Sequence, residues 1–106
     1  MLLHPKDSVA VIFSAQRTGT DEEAYQAAAQ SMSELAARQP GYLGADHARS
    51  ADGFGITVSY WRDDASAMAW RDHPDHAKIR ERGRDRWYSA YSLHVARVER
   101  GYDWQK

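Results

Sequence analysis

From Val9 to Arg17 (VAVIFSAQR) the chain is rich in β-branched and aromatic residues, the composition of a strand. Val9, Val11 and Phe13 make one face apolar. Ala10 and Ile12 make the other apolar too, before Ser14 and Gln16 turn it polar, so both faces expect a cover. Thr18-Gly19 turns the chain, and the period changes. Tyr25, Ala28, Met32, Leu35 and Ala36 recur at three- and four-residue steps, which predicts one buried stripe on a helix over about 21–39. Thr20 followed by Glu23 reads as a capping box, and Pro40-Gly41 stops the helix. A weaker strand follows over Tyr42–Arg49. Ser50-Ala51-Asp52-Gly53 holds the Asp-Gly pair of a tight hairpin, and Gly55–Arg62 is the third strand. Tyr60 and Trp61, being adjacent on it, face opposite sides. Asp63 or Asp64 caps a short helix through Trp70. Pro74 opens another, predicted to run to Tyr88. Ser89–Arg100 is the last strand, with Tyr91, Leu93 and Val95 alternating against Ser92, His94 and Ala96.

The order β-α-β-β-α-β is the ferredoxin-like plan: an α+β fold with one four-stranded antiparallel sheet and helices on one face. The uncovered face is apolar on the first strand and needs a partner, so a homodimer packed through the open sheet face is expected, giving a dimeric α/β barrel. The 106 residues amount to a single domain over 9–102, with an N-terminal extension over 1–8 and a tail over 103–106. Tyr102 and Trp104 near that tail are expected to pack against something.

The charge balance, 14 Lys+Arg against 15 Asp+Glu, gives no global field to draw in nucleic acid or an anionic membrane. Lys78 and the alternating Arg80, Arg82, Arg84 and Arg86 spray around a helix and interleave with Glu81 and Asp85. They read as a solvated, salt-bridged face from which Arg80 alone turns inward. Cysteine is absent, which excludes disulfides, thiolate metal sites and Cys nucleophiles. No apolar run reaches the roughly 20 residues of a membrane span. Pro5 and nearby charge interrupt any signal-peptide core, so the chain is read as cytoplasmic. The 4 Trp and 6 Tyr are many for this length, and Trp61, Trp70, Trp87, Tyr60, Tyr88 and Tyr91 crowd into one stretch. Such density means a core, an interface or a ligand pocket.

Gln39-Pro40-Gly41-Tyr42-Leu43-Gly44, Asp52-Gly53, Ile56-Thr57-Val58-Ser59-Tyr60-Trp61, Ala69-Trp70-Arg71, His76, Gly83-Arg84, Trp87-Tyr88, Tyr91 and Val98-Glu99-Arg100 together resemble the antibiotic biosynthesis monooxygenase (ABM) domain family. The resemblance implies a dimeric α+β barrel with a pocket between sheet and helices in each subunit. It also implies oxidation of polycyclic aromatic phenols to quinones by molecular oxygen without metal, flavin or haem. Such chemistry asks for an apolar, dry pocket with a few polar groups to hold an anion. The family's Trp at the end of the third strand matches Trp61, and its second-helix Arg matches Arg80. Its pocket Asn is Thr57 here, and its pocket Tyr is Ala67.

On this reading His76 is the base or hydrogen-bond partner and Arg80 the anion holder, while Trp61, Trp70, Trp87 and Tyr91 form the pocket wall. His76, Arg80, Gly83 and Trp87 fall at steps of four, three and four on one helical face. The expected partners are a second copy, a small aromatic molecule and O2, with no cofactor. His73 and His76 flank Pro74 beside Asp72 and Asp75 and read as a polar helix start, with no metal site. The alternative is a non-catalytic binding or sensing module of the same fold. A haem-degrading branch of the superfamily offers a third reading. Trp70 fits that branch's Trp, but Arg80 stands where it has an iron-ligating His, and Arg cannot ligate iron.

Overall fold

The computed structural model describes residues 4–106. Met1–Leu3, the first part of the expected N-terminal extension and of the stretch read as lacking a signal core, lie outside the described residues. The elements are β1 (Val9–Arg17), α1 (Glu22–Ala37), β2 (Tyr42–Arg49), β3 (Phe54–Trp61), α2 (Asp64–Arg71) and α3 (Pro74–Arg82). A π-type turn (Gly83–Trp87) leads into β4 (Tyr88–Arg97). The four antiparallel strands lie in the order β2-β3-β1-β4, the ferredoxin-like arrangement. Within one chain the sheet is open, with β2 and β4 as its edges, and does not close into a barrel.

The strand apolar on both faces, β1, takes a central place, as burial requires. Val9 pairs with Trp61 on β3, and Phe13 pairs with both Thr57 on β3 and Leu93 on β4, so these residues share the helix-covered face. Trp61 is fully buried there among Val9, Ala67, Val11, Ala36, Tyr42 and Trp70. Its indole N–H donates to the Ser59 hydroxyl at 2.9 Å. The opposite face carries Ile12, Phe54, Ile56, Val58 and Tyr60 under no helix, and Phe54 and Ile56 are each over two-fifths exposed.

The stripe on α1 holds: Tyr25, Ala28, Met32, Leu35 and Ala36 are its half-buried residues, and none of the helix is fully buried. The capping box does not form. Asp21 precedes the helix in the left-handed region (φ 53°) without a side-chain cap bond, and its carboxylate pairs with Arg86 at 3.3 Å. Asp63 does cap α2, accepting from the Ser66 amide at 2.8 Å. The helix expected to run from Pro74 to Tyr88 gives way at Gly83. The Tyr88 amide donates back to the Gly83 carbonyl, a five-residue step that widens the last turn and lets Trp87 enter the core, 2 % exposed. At the other terminus Val98 pairs with Asp7 and Ser8. The expected packing of Tyr102 and Trp104 is not made within one chain, since both are more than three-quarters exposed. Among the described residues no helix is long and apolar enough to cross a membrane.

Gly41, which ends the α1 segment, has φ +84°, and a Cβ there would strike the Ser66 side chain. Gly19 has φ +82° and open space around it. Gly19→Ala is therefore expected to cost roughly 1–2 kcal/mol, the left-handed backbone penalty alone. Gly41→Ala should cost that plus about 1–3 kcal/mol of overpacking. Urea denaturation of the two variants checks the difference, and equal midpoints would contradict it.

Candidate functional site

Between the middle of the sheet and helices α1 and α3 lies a hollow of about 160 Å³. Its floor is Phe13 of β1 with Tyr91 and Leu93 of β4, and its roof is Tyr25, Ala28, Ala29 and Met32 of α1. Ile79 and Arg80 of α3 close one side, with Trp87 and Tyr88. The α1 stripe explains the room: at its centre stand alanines, too short to reach the floor. Leu93 is both a lining residue and more than half exposed, so the hollow opens to solvent at the β4 edge.

Its aromatic walls brace one another. Phe13 meets Tyr88 edge-on and Tyr91 at a tilt, each at 5.3 Å between centroids, and Tyr25 meets Trp87 edge-on at 5.6 Å. Behind Tyr25 the buried guanidinium of Arg17 lies 3.4 Å from the ring centroid. Arg17 donates to the Trp87 carbonyl at 3.1 Å and pairs with Glu22 at 3.0 Å. Arg49 donates to the Tyr25 hydroxyl at 2.6 Å. Burial first, then the Tyr25 hydroxyl, pushes the Tyr88 phenol well above its usual range, so Tyr88 keeps its proton.

Arg80 is half-buried on the α3 side. One of its nitrogens donates to the Arg71 carbonyl at 3.1 Å. It makes no ion pair among the described residues, although Asp72, bound to Arg71 at 2.9 Å, is close enough to feel its charge. Its neighbour Arg84 donates to the Tyr91 hydroxyl at 2.6 Å and pairs with Glu81 at 3.3 Å. The rest of the basic stretch is exposed, as expected of a solvated face.

Of the residues singled out from the sequence, Arg80, Trp87 and Tyr91 meet around this hollow. Trp61, Trp70 and His76 form a separate stack. Trp70 lies over His76 at 4.3 Å and 12°, and over Trp61 at 6.2 Å and 23°. The His76 Nδ1 lies 2.9 Å from the Trp70 carbonyl. Burial holds the His76 pKa below its ordinary value, with the Arg80 and His73 charges adding to the effect; the Trp70 carbonyl opposes them. The face shared by His76, Arg80, Gly83 and Trp87 on a regular helix is broken by the π-type turn. Phe13, Tyr25 and Met32 belong to the hollow but were legible only as core positions, Tyr88 only as one of a group of aromatics that could form core, interface or pocket, and Arg17 only as a strand end. The signal that could have found them was the pairing of Phe13 with Leu93 beneath the alanines of α1. Among the described residues no three His, Asp or Glu side chains converge to hold a metal ion.

Known proteins resemble this chain in sequence and in fold. The chain is 46 % identical over 91 residues to the uncharacterized protein YqjZ of Bacillus subtilis (strain 168), covering 86 % of this chain and 79 % of that protein. It is 30 % identical over 91 residues to the jasmonate monooxygenase ABM of Pyricularia oryzae, covering 84 % of this chain but only 42 % of that longer protein. Among solved structures it resembles SnoaB, a cofactor-independent oxygenase from Streptomyces nogalater, with a TM-score of 0.76, 16 % identity and coverage of 90 % and 96 % of the two chains. Rv0793 from Mycobacterium tuberculosis gives a TM-score of 0.74 at 18 % identity, covering 93 % and 99 %. Residues 8–82 match the family model described as antibiotic biosynthesis monooxygenase, and the chain belongs to that family.

Proposed function

We propose that this protein is a cofactor-independent monooxygenase that oxidises a small planar phenol or quinol with O2 in the cytoplasm, as a homodimer. The observation that carries the reading is an apolar hollow walled by five aromatic rings, with Arg80 in its lining and in no ion pair among the described residues. The phenol gives its proton to bulk water at the open β4 edge before it seats, and Arg80 steadies the anion by a charge-assisted contact. The electron-rich anion passes an electron to O2, and the oxygen adds to a ring carbon bearing hydrogen. One oxygen atom stays as a new carbonyl. The other leaves as water with the two hydrogens the substrate gives up. All the reducing electrons come from the substrate, so the step asks for no metal or flavin. Tyr88, kept protonated by burial, serves as a neutral wall and hydrogen-bond donor, and the rings exclude water from the anion.

Of the two roles expected for His76, base or hydrogen-bond partner, the second is the one proposed here. Stacked on Trp70 and bound to its carbonyl, His76 pins α3 to the end of α2. Trp61 and Trp70 belong to that seam, and Trp87 and Tyr91 to the pocket wall. A second reading, a binding or sensing module without turnover, draws support from Ala67. This residue occupies the family's pocket-Tyr position and is buried beside Trp61, so no hydroxyl can reach the hollow from there.

Oxygen uptake with a panel of anthrones and hydroquinones tests the reaction. Arg80→Met is expected to lower kcat/KM by about 10–100-fold, the worth of a hydrogen bond to a charged group. Ligand-induced thermal stabilisation with no oxygen uptake would sink the enzyme and leave the binding module. His76 is expected to cost stability in acid. Its folded pKa lies below the unfolded value near 6.5, so its contribution is complete above that pH. The contribution is lost as pH falls through the interval down to the folded pKa. His76→Phe, which keeps the stack, should show a smaller fall in Tm between pH 7 and pH 5 and retain oxygen uptake; a tenfold loss of kcat would restore proton transfer to His76. Sedimentation should give twice the 12.0 kDa chain mass, and Ile56→Glu on the open face should give the single chain.

A further inference from the structure

We propose that the hollow admits a single aromatic ring carrying one anionic oxygen group, and that Gly83 and Met32 set this size limit; the inference rests on the aromatic-substrate reading of the same hollow. The first ground is volume. Pockets for larger ligands run to about 300–1,000 Å³, whereas an apolar cavity of about 150 Å³ is filled by benzene. The 160 Å³ here belongs to the second class. A fused second or third ring would have to pass Leu93 and lie in water at the β4 edge.

The second ground is what fixes the walls. The Tyr88 ring lies directly on Gly83: a Cβ at that position would come within 2.8 Å and 3.0 Å of two ring carbons. Tyr88 thus occupies the space that a side chain at position 83 would take. Any side chain at 83 drives the ring away from the turn toward Phe13 and Tyr25, across the hollow it lines. On the roof Met32 is the longest apolar side chain of α1 over the floor, flanked by Ala28 and Ala29. The third ground is charge. The lining is apolar except for Arg80, the tyrosine hydroxyls and the Trp87 indole N–H, which is buried without a partner among the described residues, and Arg80 makes no ion pair among those residues. One cation beside an apolar chamber fits a ligand with one anionic group and leaves a neutral ring or a dianion mismatched.

Calorimetric titration with benzoate, 1-naphthoate and 9-anthracenecarboxylate tests the limit, because the anion stays constant while one ring is added at each step. Affinity is expected to be highest for benzoate and at least tenfold weaker for the three-ring acid, with benzamide binding at least tenfold weaker than benzoate. Met32→Ala should tighten 1-naphthoate at least tenfold. Gly83→Ala, if it folds by circular dichroism, should lose benzoate binding. Affinity that rises with every added ring, or a Met32→Ala variant with an unchanged order, would overturn the size limit. Equal binding of benzamide and benzoate would overturn the anion requirement. The two readings fail separately. Oxygen uptake confined to three-ring phenols leaves a monooxygenase without this limit. A ring-size order as expected, with no uptake from any single-ring phenol, leaves the limit without the monooxygenase.

Discussion

Two buried indoles hold the helices off the sheet at its two ends, and the space between them is the site. Trp61 stands opposite Val9 at one end of β1 and gathers Ala67, Ala36 and Trp70 from the helices. Trp87 stands at the other end, where its carbonyl accepts from both Arg17 and the Thr18 amide and its ring meets Tyr25. Each indole is large enough to keep helix and sheet apart by its own thickness. Between these pillars the facing residues are Phe13 and Leu93 below and alanines above, which cannot close the gap.

The same arrangement explains why one tryptophan-rich chain has two aromatic clusters of different character. Around Trp61 the indole stacks with Trp70, which lies in turn on His76, and it meets Tyr42 edge-on, closing the α2–α3 seam. Around Trp87 the contacts are edge to face and border the hollow. Charge follows suit. Arg17 is held by Glu22, two carbonyl contacts and the Tyr25 ring, with its Nη1 buried and unpartnered, whereas Arg80 makes no ion pair among the described residues.

The π-type turn at Gly83–Trp87 links fold to site. A regular helix to Tyr88 would have kept His76, Arg80 and Trp87 in one row. The wider turn instead takes Trp87 out of that row, sinks it into the core and lays Tyr88 on Gly83. A glycine and a tryptophan four residues apart thereby decide which aromatic rings are pillar and which are wall.

Nearly all of the secondary structure was legible in the sequence, because alternation on β1 and β4 and the three- and four-residue steps of α1 are local signals. They named the strands, the stripe, the inward turn of Arg80 and the opposite facing of Tyr60 and Trp61. The family resemblance added the pocket's location between sheet and helices. What the sequence could not give was the partition of its aromatics. Whether an indole fills space or borders it depends on the thickness of the neighbours across the layer, a property of pairs such as Phe13 with Leu93 and Ala28 above them that lie far apart along the chain. The capping box is absent as well: Asp21 rather than Thr20 stands before the helix, in the left-handed region, and its carboxylate pairs with Arg86, 65 residues away.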